Sequence, residues 1–143
     1  MEYAFERNKI EAEQREKGAT FDLLGVERDT GKIIFFEVKR GLSAIKGKSG
    51  IDEHINDFRA YMQGNNHAFF RNNLIRDIRN IVSDKVSLGL ITNFELPEKL
   101  SDSEPEHIFV FHPDNNGQIE NFEQELRGRS KLILVSDGDY KLR

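Results

Sequence analysis

The chain has no cysteine, which excludes disulfides and any zinc site built on thiolates. It has no run approaching the ~20 apolar residues of a membrane span. Its opening stretch, MEYAFERNKIEAEQREKG, is charged and lacks the apolar core of a signal peptide. It also lacks an excess of positive charge. Lys and Arg number 21 against 25 Asp and Glu, for a net charge of −4 and a pI of about 5.6. Binding to nucleic acid by bulk charge alone is therefore disfavoured. Repeats and low-complexity tracts are absent. The four histidines, His54, His67, His107 and His112, show no i, i+4 ligand spacing, and no Ser/His/Asp motif is recognisable. What remains is a soluble chain of 143 residues, read as one domain over 1–143 or one part of a longer protein, with the cytoplasm as its default compartment.

The stretch from Phe21 to Gly41, FDLLGVERDTGKIIFFEVKRG, organises the rest. Two apolar runs, Thr20 to Val26 and Lys32 to Val38, flank a turn at Arg28-Asp29-Thr30-Gly31, which predicts a β-hairpin. A four-residue loop there sets Glu27 opposite Lys32, Asp22 opposite Glu37 and Thr20 opposite Lys39. Alternation along the strand puts Glu37 and Lys39 on one face with Ile33 and Phe35. The second strand is apolar on both faces and is expected to be covered on both. Facing carboxylates destabilise a strand pair. When buried, they require a cation or a retained proton. Lys39 supplies one positive charge, and a divalent ion such as Mg²⁺ suits carboxylate and carbonyl oxygens. The plainer alternative is a surface hairpin on which Glu37 and Lys39 are solvated charges.

Asp22, followed by Glu37-Val38-Lys39, resembles the PD-(D/E)XK nuclease superfamily, whose fold is called restriction-endonuclease-like. The resemblance covers about the first half of the chain, to roughly Gly64. It implies a mixed central sheet flanked by helices, an α/β or α+β fold, and hydrolysis of nucleic-acid phosphodiesters, DNA above all, with Mg²⁺ or Mn²⁺. It implies Asp22 and Glu37 as metal ligands, the Val38 carbonyl as a third, and Lys39 as the residue assisting the attacking water. Glu6, in Phe5-Glu6-Arg7-Asn8, is similar to a Glu-Arg-Asn of archaeal Holliday-junction resolvases and is expected as an outer ligand. Many enzymes of this fold pair up, so a homodimer is open. Some relatives carry a glutamine in a QxxxY-like pattern on the following helix, where Asp57 to Tyr61 stands here. A second reading, of another class, is a catalytically inactive nuclease-fold module that binds nucleic acid or protein.

The loop RGLSAIKGKSG after Lys39 is glycine-rich and carries Arg40, Lys46 and Lys48 without an acid. Gly47-Lys48-Ser49 resembles the end of a P-loop, but the spacing from Gly41 is one residue too long. The loop reads either as a contact to a nucleic-acid backbone or as a plain mobile surface loop, with Arg59 as a further contact and Tyr61 as a contact or a packing residue. Helices are predicted over Glu2 to Lys17, Ile51 to Gln63, His67 to Asp84 and Ile119 to Arg127. Strands are predicted over Val86 to Asn93, His107 to His112 and Lys131 to Ser136.

Overall fold

The computed structural model describes residues 3–5, 19–41, 45–47, 50–63, 67–92, 96, 100, 103–136 and 139–142. In chain order these form β1 (Tyr3–Phe5), β2 (Ala19–Phe21), β3 (Leu23–Val26), β4 (Ile33–Arg40), α1 (Ile51–Gln63), α2 (His67–Ser87), β5 (Glu106–His112), α3 (Gly117–Leu126), β6 (Lys131–Ser136) and β7 (Asp139–Leu142). The main sheet runs β3-β4-β5-β6-β7, and β1 and β2 form a separate antiparallel pair. Its inner pairs, β4 with β5 and β5 with β6, are parallel, whereas β3 and β7 are antiparallel edges. The fold is thus mixed α/β. Among the described residues no helix is long and apolar enough to cross a membrane.

The β3–β4 hairpin has the predicted register. Leu23 faces Phe36 and Val26 faces Ile33. The Glu27 amide closes the loop on the Lys32 carbonyl at 2.8 Å, and the Gly31 amide returns to the Glu27 carbonyl. The first run is not one strand, however, because a bend at Asp22 divides it into β2 and β3. An unbroken ladder would turn Phe21 outward beside Val38. Instead Phe21 is fully buried, with its ring 4.4 Å from Phe35. Burying that ring outweighs continuing the ladder. Thr20 accordingly pairs with Ala4 of β1 and not with Lys39.

Both parallel connections step the same way across the sheet, and connections of one hand then lie on one face. Packing agrees. Ile33 and Phe35 of β4 join Phe21, Tyr61 of α1, and Leu74 and Ile78 of α2 in one cluster. Phe109 and Phe111 of β5 and Leu132 and Leu134 of β6 join Ile51 and Ile55 of α1 and Phe122 and Leu126 of α3 in a second. The register aligns these rows, Phe109 with Leu132 and Phe111 with Leu134. The opposite face is only half covered, contrary to expectation. Ile34 and Phe36 are half-buried there, and Val38 is 46% exposed.

Two element predictions are corrected. The expected N-terminal helix has Tyr3–Phe5 as its described part, and this is a strand paired with Ala19–Phe21. Aromatic residues favour strands, and the sparse apolar residues of this stretch give a helix little to bury. Glu6 and the rest of 6–18 lie outside the described residues. The expected strand from Val86 begins instead inside α2, which runs to Ser87. Gly89, at φ 69°, is the left-handed cap of that helix, not a strand bulge. The Leu90 amide bonds the Lys85 carbonyl at 2.9 Å and the Gly89 amide bonds that of Val86 at 3.0 Å, the paired bonds of a Schellman motif. Helix α1 and strand β6 have the expected bounds. Strand β7 was not expected, since DYKL is too short to show a period.

Candidate active site at the end of strand β4

Glu37 and Lys39 occupy positions that the sheet otherwise fills with hydrocarbon. Glu37 stands beside Phe109, and Lys39 beside Phe111. Both point under α1 into the side of the sheet where the core lies. Glu37 is 0% and Lys39 6% exposed. Solvated surface charges are therefore excluded for this pair.

Asp22 reaches the same place from the bend. One step beyond the last paired residues, where β3 offers no backbone acceptor, its Oδ2 accepts the Val38 amide at 2.7 Å. The carboxylate thus ends the β3–β4 ladder and sets negative charge beside Glu37 and Lys39. Burial pushes the Glu37 carboxyl above its ordinary range. His54 draws it down, Asp22 pushes it further up, and Lys39 draws it down. Burial lowers the Lys39 ammonium, while Glu37 and Asp22 raise it.

The fourth member of the cluster is His54, which comes from α1. Its Nε2 lies 2.7 Å from Lys39 Nζ, and its Nδ1 lies 3.1 Å from Glu37 Oε2. Lys39 itself is 3.9 Å from that oxygen. The imidazole therefore stands between the amine and the acid, nearer to each than they are to one another. Metal-ligand spacing does not reveal His54. The signal was its place in the helix, three residues after Ile51 and four before Phe58, a polar residue on the buried stripe. Of the two readings of Tyr61, substrate contact or packing, the structure has packing: the side chain is fully buried with its ring 5.3 Å from Phe35.

Glu37 Oε1 and Oε2 are both buried, and among the described residues no group hydrogen-bonds either in good geometry. A carboxylate oxygen left without a partner costs free energy and presents a lone pair to a cation. The donor set of two carboxylates and a carbonyl is the kind that Mg²⁺ and Mn²⁺ accept. Among the described residues no group of three or more His, Asp and Glu side chains is arranged to hold a metal ion. Asp22, Glu37 and the Val38 carbonyl are the donors that the resemblance named, and only two of them are side chains.

Arg40, the last residue of β4, and Lys46, in the loop after it, have acidic partners. Arg40 is 3.9 Å from Asp114, with its side chain 80% exposed, and Lys46 is 2.9 Å from Glu125. Gly41 ends the strand at φ 64°, and a Cβ there would come within 2.5 Å of Asp114 Oδ2. Glycine is therefore required where the chain turns from the site into the loop. Arg59 is exposed on α1, and Lys48 lies outside the described residues.

His107 sits in the row behind the site, beside Phe35, with its ring stacked 4.9 Å from Phe58. Burial, then the charges of His54 and Lys39, lower its pKa from 6.5 to about 4. The unfolded chain binds the proton more readily, so stability falls as pH drops from 6.5 toward about 4. The difference corresponds to about 3 kcal/mol. Glu37 has the opposite sign, since a raised carboxyl lets the folded state take the extra proton as pH falls. Chemical denaturation of His107→Phe against the parent isolates the histidine. The acid loss should shrink by most of that amount, and an unchanged acid limb would refute the assignment.

Compared with protein-family models, curated proteins and solved structures, the chain matches none of them.

Proposed function

We propose that the chain is a metal-dependent nuclease with a restriction-endonuclease-like core, hydrolysing phosphodiester bonds, most readily those of DNA. The observation that carries this reading is Glu37. It is a fully buried carboxylate neither of whose oxygens has a hydrogen-bond partner among the described residues, set beside Lys39 and the Asp22 carboxylate. A structural ion pair would have both oxygens satisfied. An acid kept at this cost in a row of Phe and Leu has a use beyond packing.

Asp22, Glu37 and the Val38 carbonyl would hold Mg²⁺ or Mn²⁺, which when bound supplies charge that polarises a phosphate and acidifies water. Lys39 directs an N–H toward the attacking water and stabilises the negative charge that gathers on the phosphate. Arg40, Lys46, Lys48 and Arg59 hold the backbone of the strand being cut. For Arg40 and Lys46 this means exchanging the carboxylates of Asp114 and Glu125 for phosphates.

The test is incubation with plasmid and single-stranded DNA in Mg²⁺ or Mn²⁺, paired with Mn²⁺ calorimetry on the parent and Asp22→Asn. Asparagine keeps an oxygen for the Val38 amide and removes the charge. The parent is expected to cut and to bind Mn²⁺, and the variant to lose binding while remaining folded. Undiminished Mn²⁺ binding by Asp22→Asn would count against this ligand set. A second reading, a module that binds without cutting, is favoured by the pairing of Arg40 and Lys46 with acids and by the net charge of −4. It predicts association with DNA and no metal-dependent product.

A further inference from the structure

We infer that His54 is the positioning residue of Lys39, bridging it to Glu37 as the Nδ1–H tautomer; the inference rests on the nuclease reading for its catalytic consequence and on geometry alone for the bridge. Lys39 Nζ has only donors to offer. At 2.7 Å from it, His54 Nε2 must present its lone pair. The ring proton then resides on Nδ1, 3.1 Å from Glu37 Oε2, a charge contact that lies off the line of a hydrogen bond. A proton on Nε2 would set two donors against each other and two acceptors against each other.

The bridge answers a question of geometry that Glu37 alone leaves open. The direct distance from Lys39 to Glu37, 3.9 Å, is too long for a hydrogen bond, so the carboxylate does not aim the amine. A lysine has four rotatable carbons and wanders unless something holds its tip. The something here is a side chain from α1. It is itself fixed because Ile51 and Ile55 beside it are buried against Phe109 and Phe111. The aim of Lys39 is thus set by the docking of a helix onto the sheet. Holding the tip within a fraction of an ångström is what a reacting group needs. Glu37 turns Oε2 toward His54 at ion-pair distance, and Oε1, which also has no hydrogen-bond partner among the described residues, remains for a cation.

The experiment compares the parent with His54→Ala and His54→Gln. Glutamine can donate its amide N–H to Glu37 and accept from Lys39 with its oxygen, and it keeps the site filled if alanine loosens the fold. Two readouts are taken. In Mn²⁺-dependent DNA cleavage, His54→Ala should lose about 10- to 100-fold in kcat with KM for DNA and Mn²⁺ affinity little changed, and His54→Gln should recover most of the loss. Proton–nitrogen correlation of the histidine side chains should show His54 as the Nδ1–H tautomer. Correlation of the lysine side chains should show the Lys39 signal moving in His54→Ala and holding in His54→Gln. If the parent cuts and His54→Ala keeps its kcat, the positioning role is overturned. If the parent does not cut, the nuclease reading fails by itself, and the spectra still decide the bridge. An Nε2–H tautomer, or a Lys39 signal indifferent to His54→Ala, overturns it.

Discussion

Lys39→Ala is expected to lower metal-dependent cleavage by about 100- to 1,000-fold, the loss typical of removing one preorganised donor from a water-poor site. The size follows from where the ammonium sits. Lys39 is 6% exposed, flanked by Phe111 in the next strand, and its tip is held at 2.7 Å by His54. Charge in such surroundings is felt more strongly than in water. The substitution also removes one of the influences that draw the Glu37 carboxyl down. Glu37 should then hold its proton to higher pH, and Mn²⁺ binding should need a higher pH than in the parent. Cleavage rates and calorimetry across a pH series check both statements. Cutting that survives the substitution removes Lys39 from the mechanism.

The second large effect is on stability. Phe35→Ala should cost about 3–5 kcal/mol, a large share of the 5–15 kcal/mol that holds a typical domain together. Phe35 is fully buried, with rings of Phe21, Phe58 and Tyr61 at 4.4, 5.9 and 5.3 Å. It touches the turned-in strand β2 and helix α1 at once, so little around it can collapse into the space. Leu88→Ala is the control, since Leu88 is 71% exposed beyond α2 and should change stability by less than about 0.5 kcal/mol. Urea denaturation measures both. A midpoint for Phe35→Ala as close to the parent as that of Leu88→Ala would show that this cluster is not the core.

What was legible in the sequence was what short-range pattern controls. The hairpin register over Leu23 to Val26 followed from a turn of recognisable composition, whereas Asp22 reaches the charged end of β4 from a bend outside the ladder, through the Val38 amide. The stripe of Ile51, Ile55, Phe58 and Met62 gave α1 its bounds. The misses have a common origin in contacts between distant segments. Nothing local in Thr20 to Val26 says that Phe21 will leave the ladder for a pocket of rings. Nothing local in VSLGLITN says that Gly89 closes a helix already under way, because a β-branched run reads as strand when the preceding turns are ignored. His54 belongs to the site through contacts of the same kind. Its neighbours in the site are 15 and 17 residues away in sequence, and its place on a buried helix stripe is informative where spacing among histidines is not.

The half-covered face of the sheet has a practical consequence. Val38 points away from the charged pair, 46% exposed, yet its peptide unit lies between Glu37 and Lys39. The chain has no cysteine, so Val38→Cys would carry one fluorophore at one known spot, behind the proposed site. Dye emission there would register the arrival of a cation or a DNA strand on the far side, without any reacting atom having been altered.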